Sequence, residues 1–166
     1  MNDPTLNKDR RAAGILLHPS SLPGEEGIGT IGLAAQRWID FLADAGQAYW
    51  QVLPLGPTGY GDSPYQCFSS IAGNPYLIDL AVLSGKGWIR PQRLESMPGG
   101  SGRVDFGRLI PWKMALLREA WEGFSTLATP VLRQEFEHFR KLNAGWLDDY
   151  SLFMALKSAF GLRPWY

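Results

Sequence analysis

Tyr49-Trp50-Gln51-Val52-Leu53, followed by Pro54-Leu55-Gly56-Pro57-Thr58-Gly59-Tyr60-Gly61-Asp62-Ser63-Pro64-Tyr65-Gln66-Cys67-Phe68-Ser69-Ser70, decides how the chain is read. The first five residues are an apolar run bounded by proline, the signature of a buried strand. The rest is long and neither greasy nor charged, with glycines and prolines that fix turns. Upstream, Ala12-Ala13-Gly14-Ile15-Leu16-Leu17 is a second apolar run, ended by His18-Pro19. Between the two runs, Ile31, Ala35, Trp38, Leu42 and Ala45 recur every three or four residues and share one helical face. The spacing predicts a helix over 31–45, with Thr30 as N-cap and Gly46 as its stop. Strand, helix, strand in this order is a parallel βαβ unit with a right-handed crossover, which places the chain in the α/β class. A loop just beyond the carboxyl end of a buried strand is where α/β barrels hold their active sites.

After this unit the character changes. Pro75 to Leu80 reads as a short extended segment, with a helical turn near Ala81 to Ser84. Residues 96–104 are a linker by composition. Pro111 reads as a first-turn proline of a helix whose stripe is Trp112, Leu116, Ala120 and Phe124. Thr129-Pro130 opens the next helix, with Leu132, Phe136 and Phe139 on one side. A third helix spans about 146–160 and stops at Gly161, with Asp148 and Asp149 in its first turn near the positive end of the dipole. No repeat recurs.

The chain has 166 residues, enough for a domain with a real core. Its 16 basic and 16 acidic residues cancel, so no basic excess exists to neutralise phosphates and no nucleic-acid partner is expected. The 13% aromatic content, with 7 Trp, fits large buried faces and carbohydrate stacking equally. Cys67 is the only cysteine, which excludes an internal disulfide, fits a reducing compartment and is expected to be a small filler. The sequence predicts no signal peptide and no membrane span, so a cytoplasmic location is expected. His18 and His138 lack cysteine or carboxylate partners at metal-ligand spacing, and no glycine-rich phosphate motif follows a strand. No metal, nucleotide or other cofactor is expected.

The loop groups suit a sugar, which offers apolar C–H faces and a rim of hydroxyls. Tyr60, Tyr65 and Tyr76 supply flat rings, and Asp62, Ser63, Gln66 and Asn74 supply hydrogen bonds. Ordinary loop packing uses the same residues. Resemblance separates the two. Gly61-Asp-Ser-Pro-Tyr-Gln and Ala72-Gly-Asn-Pro-Tyr-Leu-Ile-Asp-Leu resemble the amylomaltases, the 4-α-glucanotransferases or disproportionating enzymes. So do Arg11-Ala-Ala-Gly-Ile-Leu-Leu-His-Pro-Ser-Ser-Leu-Pro-Gly, Gln51-Val-Leu-Pro-Leu-Gly-Pro-Thr and Trp146-Leu-Asp-Asp-Tyr-Ser-Leu-Phe-Met-Ala-Leu-Lys. The matches keep their order from about residue 10 onward.

The resemblance implies the N-terminal portion of a TIM (β/α)8 barrel with a mostly helical inserted subdomain, the barrel incomplete because a full one needs about 250 residues. Residues 1–9 form a disordered N-terminus, 10–95 the first barrel strands with the substrate-binding loop, and 96–166 the helical subdomain, cut at its C-terminal end. In the closed barrel, runs 12–17 and 49–53 are buried on both faces. The implied reaction transfers α-1,4-glucan segments between maltooligosaccharides with retention, through two carboxyl groups. The family draws those carboxylates from later strands, so no catalytic residue is expected here and the segment alone is expected to be inactive. Asp62 and Asp79 have the residue type but not the family positions. The implied substrate-binding residues are Ser63 and Tyr65 near the cleaved bond, Tyr60 at an accessory glucan site, and Asp62 as loop shaper or hydroxyl partner. Two other readings stay open on the residues: a non-catalytic carbohydrate-binding or interaction domain, and a relative of α-amylase.

Overall fold

The computed structural model describes residues 11–95 and 102–163, with Tyr60 described by its backbone alone. The expected disordered residues 1–9, most of the linker 96–104 and the last three residues lie outside the described residues. The elements run β1 (Gly14–Leu16), α1 (Leu33–Asp44), β2 (Tyr49–Gln51), α2 (Leu80–Gly85), α3 (Phe106–Leu127), α4 (Pro130–Leu142) and α5 (Ala144–Ala159). β1 and β2 pair in parallel, with Gly14 opposite Tyr49, Ile15 opposite Trp50 and Leu16 opposite Gln51. The βαβ unit is therefore present, and the chain is helical with a small parallel sheet.

The strands are shorter than the apolar runs and are not buried on both faces. Ile15 and Trp50 are half-buried, while Leu16 and Tyr49 are 54% and 55% exposed. Trp38 of α1 meets Trp50 edge-on, ring centres 6.5 Å apart. Two strands with aromatic cover on one side leave alternate side chains in solvent, because successive residues point to opposite faces. On α1, Ala35 and Leu42 are buried as the period demands.

Four boundaries differ from the sequence reading. Thr30 does not cap α1: the N-cap position falls at Gly32, and Thr30 Oγ1 donates instead to Asp79 Oδ2 at 3.1 Å. Ile31 lies outside the helix, 58% exposed, and its N–H donates to the Leu77 carbonyl. Pro75 to Leu80 is not extended throughout. Asn74 Oδ1 accepts from Tyr76 N at 2.9 Å and opens a 3-10 turn over Pro75–Leu77, then Asp79 Oδ1 caps α2 by accepting from Val82 N at 3.2 Å. Side-chain caps thus convert the segment into turns. Pro111 lies inside α3, which starts five residues earlier at Phe106, where Asp105 Oδ1 accepts from Arg108 N. Likewise α5 starts at Ala144, so Asp148 and Asp149 fall beyond its first turn.

The chain divides into two compact units, Met1–Trp121 and Glu122–Tyr166, and α3 crosses the division. The core of the first is Leu80, Ile89, Leu116 and Ala120, with Leu83, Trp88, Leu94, Trp112 and Leu117 packed around them. In the second, Thr129 caps α4 by accepting from Leu132 N, and Phe124 meets Phe136 edge-on at 5.5 Å. Its Arg133 donates to the carbonyls of Ser125 and Ala128, satisfying the end of α3.

Candidate functional site

The loop after β2 is a hairpin-like excursion. Asn74 N donates to the Leu55 carbonyl, Phe68 N to Pro57 and Gly59 N to Gln66, while Thr58 and Cys67 bridge in antiparallel fashion. A Cβ at Gly59 would stand 2.8 Å from the Gln66 oxygen, so the two arms approach this closely only because position 59 is glycine. The tip, residues 60–65, holds all four sequence-derived site residues. Tyr60 to Asp62 form a 3-10 turn with Gly61 at φ +67°, and Asp62 itself is left-handed at φ +54°. Asp62 shapes the turn with its backbone, a conformation that asparagine and aspartate tolerate better than most side chains.

At the tip, Ser63 is half-buried and its Oγ accepts from Tyr65 N at 3.3 Å. The Tyr65 side chain is 71% exposed. Asp62 is half-buried, and this partial burial raises its pKa above the ordinary 3.8. Tyr76, returning from the far arm, carries a phenol whose pKa is raised by burial and then by the charge of Asp62. Cys67 Sγ donates to the Pro64 carbonyl at 2.7 Å and fills the space under the tip.

His18 ends β1 as the cap of the turn Pro19–Ser21. Its Nδ1 accepts from Ser20 N at 3.3 Å and lies 2.7 Å from Ser20 Oγ, while its Nε2 is buried without a hydrogen bond of acceptable geometry. Burial lowers its pKa below the ordinary 6.5, the Pro54 backbone opposing the shift. Asp79, the other carboxylate weighed, is committed to Thr30 and Val82. Among the described residues no cluster of three or more His, Cys, Asp or Glu could hold a metal, and no helix is long and apolar enough to cross a membrane.

A parallel βαβ unit with a tyrosine-bearing loop past its second strand, followed by helices, defines an α/β protein whose candidate site is carried on a loop. Comparison makes the assignment specific. The model of the 4-alpha-glucanotransferase family matches residues 17–166. The 4-alpha-glucanotransferase of Thermus thermophilus is 56% identical over 93% of this chain and 30% of its own length. That of Synechocystis is 46% identical over 95% of this chain and 32% of its own length. The solved amylomaltase from Streptococcus agalactiae, in complex with acarbose, superposes with a TM-score of 0.84 at 38% identity, over 93% of this chain and 31% of that one. The chain belongs to the 4-alpha-glucanotransferase family and corresponds to its N-terminal part, spanning about a third of the relatives' length.

Proposed function

We propose that this chain supplies the glucan-binding loop of a 4-α-glucanotransferase that transfers α-1,4-glucan segments between maltooligosaccharides with retention of configuration. The carrying observation is the tip: an exposed Tyr65 ring on the same short turn as the half-buried Ser63 and Asp62. Tyr65 stacks on a glucose face, Ser63 donates or accepts at a hydroxyl, and Asp62 accepts from one; Tyr60 serves an accessory glucan site. Acarbose bound to the Streptococcus agalactiae amylomaltase supports a sugar at this fold. β1 and β2 act as opening strands of a (β/α)8 barrel, whose other strands would cover Leu16 and Tyr49. Residues 10–95 carry strands and loop, and 96–166 the helical subdomain. The thiol of Cys67 suits a reducing cytoplasm.

Retention needs two carboxyl groups about 5–5.5 Å apart across the scissile bond. Asp79 is occupied as a cap, which leaves Asp62 without a second carboxylate in the loop. The family resemblance assigns the catalytic pair to later barrel strands, and in this reading neither Asp62 nor Asp79 is part of it. Incubated with maltotriose, the 166-residue chain yields no glucose or longer maltodextrin above a heat-killed control. An enzyme in which it replaces the matching part of the Thermus thermophilus relative yields both, and loses more activity on Tyr65→Ala than on Tyr60→Ala. Turnover by the chain alone, or equal loss from the two substitutions, would overturn the reading.

A further inference from the structure

The least expected side chain in the molecule is Lys113. It sits in α3 with no exposed surface, and its Nζ donates to Glu26 Oε2 at 2.6 Å; the Glu26 side chain is only 7% exposed. Desolvating a lysine and a glutamate is costly and is repaid only when the remaining lone pairs are also satisfied. Glu26 meets that condition: its other oxygen accepts from Leu80 N at 2.7 Å. Burial lowers the Lys113 pKa, and the charges of Glu26 and then Asp79 oppose the shift. Three segments far apart in sequence thus meet at one buried carboxylate, that of Glu26: the loop after β1, the start of α2, and α3.

The place where they meet is the foot of the tyrosine loop. The foot, Asn74 to Leu80, is held at Leu77 by Ile31 N, at Asp79 by Thr30 and at Leu80 by Glu26. A Cβ on Gly32 would overlap the Asp79 carboxylate, so the chain there admits little slack. Tyr76, in the same foot, lies within the electrostatic reach of Asp62 at the tip. The foot is joined to the loop it closes: Lys113 bonds Glu26, Glu26 bonds Leu80, the turn Pro75–Leu77 precedes it, and Asn74 N donates to the Leu55 carbonyl at the start of the loop that carries Asp62, Ser63 and Tyr65.

We propose that Lys113 and Glu26 are positioning residues for the tyrosine loop, a buried charge pair through which α3 fixes the foot of the loop and so the placement of Ser63 and Tyr65. The proposal rests on the reading of that tip as a glucan site. Neither residue touches substrate; both act through the foot. A purely structural pair would be replaceable by a neutral one of similar size without change at the tip. A positioning pair would not, because glutamine keeps the bond to Leu80 N but loses the tether to α3.

The test uses the 166-residue chain carrying Lys113→Met, Glu26→Gln and both together. Each single change lowers the melting temperature, since one charge is left buried and unpaired. The double change recovers most of that loss. In the double variant the amides of Ile31, Tyr76 and Leu80, which close the foot, exchange roughly tenfold faster with solvent than in the parent, although global stability is restored. Its affinity for maltotriose falls about threefold, the effect of a misplaced rather than missing contact. Parent-like exchange at those amides in a double variant of restored stability would overturn the proposal. So would parent-like maltotriose affinity where exchange has risen. A parent chain that fails to bind maltotriose would overturn the glucan-site reading instead, and the exchange comparison would still decide the positioning claim.

Discussion

The tip and the foot of the tyrosine loop are held in opposite ways. The tip is local: its arms are joined by backbone bonds between residues fewer than a dozen apart, and its most prominent side chain, Tyr65, stands in solvent. The foot is non-local: Thr30 reaches Asp79 across 49 positions, Glu26 reaches Leu80 across 54, and Lys113 reaches Glu26 across 87. The difference separates recognition from placement. In the proposed reading, the groups that would contact a glucan are presented on a self-contained turn, while the foot of that turn is tied to charges buried elsewhere.

The contrast breaks most visibly at Glu26. Removing its carboxylate with Glu26→Ala strands Lys113 in a dry site and should cost about 3–5 kcal/mol, read from urea unfolding of the chain. A cost under about 1 kcal/mol would mean that water reaches the pair. Next comes Gly59→Ala, which forces a methyl against the Gln66 carbonyl and should cost about 1–3 kcal/mol while opening the hairpin. Amide exchange at Gln66 and Phe68 would locate the damage on the arms rather than the foot.

A smaller effect follows from His18. Its pKa is depressed in the folded chain, so the unfolded chain binds the proton more readily. The stability that this group contributes is present above about pH 6.5 and is lost as the pH falls through that value toward the lower folded pKa. Melting temperatures at about pH 7.5 and 5.5 should differ, and less so in His18→Asn, whose carbonyl still accepts from Ser20 N. Smallest of all is Tyr65→Ala, whose effect on stability should stay within about 0.5 kcal/mol because the ring packs on little.

What could be read from the sequence follows the same local and non-local division. The period of Ala35, Trp38 and Leu42 specified α1, and the apolar runs located both strands. One boundary that differs depends on a distant partner, and two others on local caps at Asn74, Asp79 and Asp105. Thr30 has the residue type of a cap, but Asp79 takes its hydroxyl. The buried stripe of α3 is Leu109, Lys113, Leu116 and Ala120; the expected stripe contains Leu116 and Ala120, with Trp112 packed against them, and misses Leu109 and the buried Lys113, whose residue type disguises it. The tip residues stand out in the sequence because their pattern is contiguous; the Glu26–Lys113 pair does not, because nothing in either neighbourhood marks a partner so far along the chain.

The central claim is that the tip binds an α-1,4-glucan through Tyr65 beside Asp62 and Ser63. Titrating the 15N-labelled chain with maltotriose tests it most directly. The account predicts saturable shifts confined to the amides around Asp62, Ser63 and Tyr65, abolished by Tyr65→Ala at unchanged melting temperature. Shifts scattered over the chain, or a titration that survives Tyr65→Ala intact, would contradict it.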